Sequence, residues 1–142
     1  MDYRLVATKE EKSLFIESWK ESFGRDYGPE VYSWMFNDRN IMYAIFDKDK
    51  IAAGYCLLKN KVVINNNLED GALCNNVFVH PDYRGLSLFV KLGRYALNQA
   101  GEAGIKIVIG IPNKNAVPGH IRVGWTFLNE INFLEKDIVG SL

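Results

Sequence analysis

The sequence predicts a mixed α/β (α+β) fold: a mostly antiparallel central sheet with one parallel strand–helix–strand unit and helices on both faces. Three observations predict it. The spacing of apolar residues changes from helical in the first third to strand-like from Ile41 onward. A helix-spaced segment then separates two apolar strands, Ala72–Val79 and Ile105–Ile111. No repeat, low-complexity tract or linker interrupts the 142 residues, which predicts one domain over 1–142.

Each element has its own local reason. Tyr3–Val6 reads as a short strand. Thr8 and Glu11 then have the spacing of a capping box, with Thr8 as N-cap, so a helix starts there. Phe15, Trp19 and Phe23 recur every four residues and give that helix one apolar stripe, which stops at Gly24. Gly28-Pro29 opens a second helix, because proline suits the first helical position, and Val31, Tyr32, Met35 and Phe36 give it a wide apolar face. Met42–Phe46, a turn at Asp47–Lys50, then Ile51–Leu58 and Val62–Ile64 form an antiparallel meander.

Residues 65–71 read as a loop by composition, and Ala72–Val79 returns as a strand. Two polar residues, Asn75 and Asn76, interrupt that strand; one is expected at a β-bulge and the other against a water or an acceptor. Phe89, Leu92, Gly93, Ala96, Leu97 and Ala100 trace a helix that ends at Gly101 or Gly104. Ile105–Ile111 is a continuous apolar run, expected as a central strand buried on both faces and parallel to Ala72–Val79 through a right-handed crossover. A last helix near Asn115–Val123 contains Pro118 and Gly119 and should be short or kinked, and Trp125–Lys136 reads as a final strand.

Composition narrows the function. Lysine plus arginine number 17 and aspartate plus glutamate 17, so no bulk field favours nucleic acid or an anionic membrane. With 48% apolar and 13% aromatic residues the chain can bury a sizeable core. No charged stretch followed by an apolar run opens the sequence and no 18-residue apolar run occurs, so a cytoplasmic protein is expected. Cys56 and Cys74 lack ligand spacing and read as buried free thiols, and two histidines without paired spacing argue against a metal. A homodimer is left open.

The segment from Asn75 to Leu92 is the most informative. An apolar run halts at Pro81 and helical spacing restarts after Gly85, so a strand feeds a helix N-terminus through a turn that carries Arg84. Backbone N–H groups and the helix dipole at such a turn favour an anion such as a pyrophosphate. The wording Val79-x-Pro81-x-Tyr83-Arg84-Gly85 before a helix resembles the acyl-CoA-binding motif of the GNAT (GCN5-related) N-acetyltransferase family, Arg/Gln-x-x-Gly-x-Gly/Ala, with Ser87 and Phe89 where that family has small residues. A later family motif, Asn-x-x-Ala followed by an apolar helix and Gly-Phe, is similar to Asn113, Ala116 and Gly124-Trp125 without a gap. The similarity spans about Lys50 to Lys136.

This resemblance implies acetyl-CoA as cosubstrate, transfer of its acetyl group to an amine by direct attack in a ternary complex, and no metal. The pyrophosphate would sit on Arg84, Gly85, Leu86, Ser87, Leu88 and Phe89, where Ser87 is otherwise an ordinary helix cap. The pantetheine arm would enter between parted strands and meet main-chain groups of Val77, Phe78 and Val79, with the amide of Phe78 or Val79 facing the thioester carbonyl. Asn113 falls on the family's pantetheine-contacting asparagine, or is a turn former after Pro112. His120 and Asn76 are the catalytic candidates. His120 lies where the family carries a tyrosine that protonates the leaving thiolate; imidazole chemistry allows that role, and packing beside Pro118-Gly119 is the alternative. Glu69 and Asp70 could draw a proton through water or be a solvated pair, and Tyr27, Tyr95 and Glu130 are remoter bases. Two other functions fit the same residues: a GNAT-fold module that binds acyl-CoA without turnover, or an acetyltransferase acting on protein, tRNA or modified DNA.

Overall fold

The computed structural model describes residues 1–132 and 134–137. Its sheet has five strands in the order β1-β2-β3-β4-β5: β1 (Asp2–Leu5), β2 (Asn40–Asp47), β3 (Lys50–Ile64), β4 (Asn67–Val79) and β5 (Ile107–Gly110). The first four pair antiparallel, and β5 lies parallel to β4 with Gly71 opposite Ile107 and Cys74 opposite Gly110. The described residues also form four α-helices: α1 (Lys9–Phe23), α2 (Pro29–Met35), α3 (Leu88–Glu102) and α4 (Val117–Val123). The mixed sheet, its parallel unit and the helices on both faces follow the sequence reading.

Local chemistry explains the helix ends. The Thr8 side chain accepts from the Glu11 amide while the Glu11 carboxylate accepts from the Ala7 and Thr8 amides, closing the capping box. That carboxylate is held below its ordinary pKa by the Ala7 amide first and by Arg4 next. Pro29 and Pro118 each occupy the first turn of their helix, where the missing N–H costs nothing, so Pro118 opens α4, a helix of seven residues, instead of interrupting it.

Each face of the sheet has a separate core. Phe15, Trp19, Tyr32 and Phe36 from α1 and α2 pack with Phe46, Cys56 and Phe78 on one face. Leu88, Leu92, Ala96 and Ala100 from α3 pack with Tyr43, Tyr55, Leu57 and Cys74 on the other, and α4 packs outside α3. The stripe of α1 is buried at Phe15 and Trp19 and surfaces at Phe23, while Val31 of α2 is exposed.

Four expectations need correction. β3 is one strand of 15 residues rather than two, and the polar stretch 65–71 is a loop only at Asn65-Asn66. Both asparagines have positive φ (49° and 65°), the conformation that a two-residue hairpin turn requires, so β4 begins at Asn67. β5 is shorter than predicted and forms one end of the sheet, with Ile109 and Ile111 exposed, because among the described residues no strand pairs with its outer edge. The described residues within 125–136 form no strand; β-propensity needs a partner ladder to act on, and Phe133 lies outside the described residues.

The bulge foreseen at Asn75-Asn76 falls at Asn76, whose φ is 50°, where the pairing with β3 shifts between Gly54 and Cys56. The extra residue reverses the alternation of side chains. Ala72 and Cys74 face the α3 side, and so do Val77 and Val79, which leaves Phe78 in the opposite core against Phe15.

Candidate active site

β4 and β5 stay paired only as far as Cys74 and Gly110, and beyond that rung the strands part. A cleft of about 320 Å³ opens between them. Its walls are Asn75, Asn76 and Val77 of β4, Ile111 to Asn113 after β5, Ala116 and His120 by α4, and Trp19 and Phe23 at the end of α1. The α1–α2 connection adds Arg25 and Tyr27, and Trp125 closes the inner end. A Cβ placed on Gly110 would meet the Trp125 ring at 3.1 Å and Cys74 Cβ at 3.7 Å, so the indole lies over the last paired rung.

The free edge of β4 presents main-chain groups to this cleft. His80 N–H donates to Ala52 O of β3 at 2.9 Å, and amides alternate between the two edges of a strand. The amides of Val77 and Val79 therefore turn away from β3, toward the edge that β5 has left, and the Phe78 amide turns toward β3. Of the two amides expected to face a thioester, Val79 has the open direction.

His120 stands on α4 with 8% exposure, its ring 5.0 Å from those of Phe89 and Trp125, both edge-on. Its Nδ1 has no hydrogen-bond partner, and burial lowers its pKa from the ordinary 6.5. The imidazole is thus neutral at pH 7. Phe89, the bulky residue of the turn, fits because its ring lies over Gly119, where a Cβ would come within 2.6 Å. Asn76 accepts from Trp19 Nε1 at 3.3 Å, which ties β4 to α1, whereas Asn75 Oδ1 is buried without a partner. Among the described residues Tyr55 OH and Trp125 Nε1 are the other buried side-chain polar atoms without partners, and Cys74 and Trp125 are the polar neighbours of that hydroxyl. Burial pushes the Cys74 thiol up to about 11 and Cys56 up to about 12, so both are protonated and weakly nucleophilic.

The segment expected to hold a pyrophosphate folds as a strand end, a 3₁₀ turn over Pro81–Tyr83 and a helix start. Tyr83 OH donates to Asp47 Oδ2 at 2.8 Å, pinning it to the β2–β3 turn. Gly85 has φ +85° with open space around it, Leu86 is exposed, and Ser87 has φ 58° at the N-cap without a side-chain capping bond. The first-turn amides of Leu88, Phe89 and Val90 lack intrahelical partners by geometry. Arg84 reaches back, its guanidinium 3.4 Å from Val79 O and from Ser22 O, which joins the turn to the end of α1.

The structure therefore brings His120, Asn76, Val77 and Asn113 to one cleft, with Val79 just beyond on the same strand. Asn113 Oδ1 accepts from Ala116 N at 2.9 Å, so it forms the turn and lines the cleft at once. Glu69 pairs with Lys106 at 3.4 Å and Asp70 with Lys61, both away from the cleft lining. Tyr95 packs on Tyr3 and Tyr43 instead, and Glu130 is exposed. Arg25, Asn75 and Trp125 were not legible as cleft residues; the position of Trp125 after Gly124 was the one available signal. Among the described residues no group of three His, Cys, Asp or Glu could hold a metal, and no helix is long and apolar enough to cross a membrane.

The sequence profile of the acetyltransferase (GNAT) domain matches residues 2–128. No curated protein matches the chain. Its fold is similar to that of a transcriptional regulator from Bacillus halodurans C-125, at 15% identity over 94% of this chain and 98% of that one, TM-score 0.76. A predicted acetyltransferase with acetyl-CoA from Clostridium acetobutylicum is similar at 17% identity over 94% and 95%, TM-score 0.74. Glucosamine-6-phosphate N-acetyltransferase from Arabidopsis thaliana is similar at 17% identity over 96% and 98%, TM-score 0.70.

Proposed function

We propose, from the premise that this chain belongs to the GNAT acetyltransferase family, that it moves an acetyl group from acetyl-CoA to an amine by direct attack in a ternary complex. One observation carries this reading: the parting of β4 and β5 after Cys74 and Gly110, which opens a cleft beside unpaired strand amides. An extended pantetheine arm can add to such an edge as a strand would. Its pyrophosphate then reaches the helix start at Leu88 through the turn Arg84–Ser87, where orphan amides and the helix dipole favour an anion.

The residues suggest a proton path. Attack of a neutral amine on the thioester carbonyl gives an oxyanion, which the Val79 amide faces, and an ammonium on the incoming nitrogen. Neutral His120 accepts that ammonium proton, directly or through water, and returns it to the CoA sulfur as the carbon–sulfur bond breaks. One group then serves as base and acid in turn, which supplies the base that the sequence did not reveal. Asn76 acts by holding the bulge through Trp19 rather than by moving a proton.

The test is release of free thiol from acetyl-CoA in the presence of amines, aminosugars and peptides, with calorimetry of CoA binding alongside. Amine-dependent release supports the enzyme reading. Binding of acetyl-CoA with no release above the amine-free rate on any acceptor assigns the binding-only role instead, and absence of CoA binding removes both.

A further inference from the structure

The charges around the cleft are one-sided. Among the described residues that line it, only Arg25 is charged when His120 is neutral, and none is a carboxylate. Arg25 donates to Tyr27 OH at 2.9 Å and enters no ion pair among the described residues, which leaves most of its five donors free. The neighbouring carboxylate is already engaged. Asp26 accepts from Gly28 N at 3.0 Å and Tyr32 OH at 3.1 Å and lies 3.6 Å from Lys20. Trp19, Phe23 and Tyr27 offer aromatic faces in the same cleft, Trp19 with its ring centroid 4.9 Å from that of Phe23 and 5.8 Å from that of Tyr27.

We propose that the acceptor is a primary amine carrying an anionic group, carboxylate or phosphate, with Arg25 binding the anion. This inference rests on the acetyltransferase reading of the cleft. A guanidinium fork suits both anions. A polycationic acceptor would meet a guanidinium and find no carboxylate among the described lining residues. The charge also favours the reactive form, since a nearby cation disfavours protonation of the amine.

The test uses three matched pairs of amines: O-phosphoethanolamine and ethanolamine, tryptophan and tryptamine, 4-(aminomethyl)benzoate and benzylamine, with spermidine as the polycation. Thiol release is followed for the native protein and Arg25→Gln, and calorimetry reports acetyl-CoA affinity for each. At least one anionic member is expected to exceed its neutral twin by about 10-fold in kcat/KM, the worth of one good charge-assisted contact. Arg25→Gln should erase that preference and leave acetyl-CoA affinity unchanged. Preference for the neutral members or spermidine, a preference that survives in Arg25→Gln, or weakened acetyl-CoA binding in that variant overturns the proposal. If no amine releases thiol, the acetyltransferase reading fails separately, and binding of the same pairs to the CoA-loaded protein decides: tighter binding of an anionic member that Arg25→Gln abolishes supports the proposal, and equal or absent binding overturns it.

Discussion

Burial makes His120 a titrating group with a direction. Its pKa lies below 6.5 because the charged form is poorly solvated beside Phe89 and Trp125. If the neutral ring must take the first proton, kcat/KM should fall on the acid side with an apparent pKa below 6.5, and His120→Phe should lower turnover by about 10²-fold with little change in acetyl-CoA affinity. The same shift is a statement about stability. The unfolded chain binds the proton near pH 6.5 and the native chain only at lower pH, so this contribution is complete above 6.5 and is lost as pH falls through the native value. Urea titrations of the His120→Phe variant should therefore show a shallower loss of stability below pH 6.5 than those of the parent. A second residue stores strain: Ser87 holds φ 58°, a conformation that costs a side chain about 1 kcal/mol. Ser87→Gly is expected to raise Tm by about 3 °C; an unchanged Tm would mean that the strain is balanced by a contact of the hydroxyl.

At the level of elements, the strand that would meet the donor is coupled to the core under α1. A Cβ on Gly54 of β3 would come within 2.3 Å of the Phe78 ring and 2.6 Å of Phe15. Gly54→Ala must push Phe78, and with it the bulged end of β4, so it should cost about 1–3 kcal/mol by overpacking and also weaken CoA binding. Loss of stability with unchanged CoA affinity would uncouple the two. This dependence on distant partners marks the limit of what the sequence could tell. Helix starts and stops were legible because their causes are local: Thr8 with Glu11, Gly24, Pro29. The parallel unit was legible because its apolar runs and crossover length lie in one stretch. The extent of β3 and β4 was not, since their outer halves are solvated on both faces and carry no apolar alternation, only the turn chemistry of Asn65-Asn66. The burial of β5, and whether a segment such as 125–136 pairs at all, depend on neighbours that no local pattern names. Of the residues that line the cleft, His120 and Asn113 were singled out by motif spacing, Val77 by the family resemblance and Asn76 as a polar residue in an apolar strand, while Arg25 joins them only when α1, β4 and β5 converge.

For the whole molecule, a ligand that binds only the folded chain stabilises it by mass action, about 2.7 kcal/mol at a hundred times its Kd. CoA should accordingly raise Tm by several degrees. Gly85→Val, which forces a β-branched residue into φ +85°, should lose most of that shift while remaining folded; an undiminished shift would place the pyrophosphate elsewhere. The placement of the three tryptophans makes the same event visible by light. Trp19 and Trp125 both line the cleft, at opposite walls of the space a donor would fill, whereas Trp34 is 76% exposed on α2. Filling the cleft changes the surroundings of two indoles and leaves the third in water. Intrinsic emission therefore reports occupancy without a label, Trp34→Phe removes the constant background, and the single-tryptophan variants resolve whether a ligand seats against α1 or against the floor behind β5.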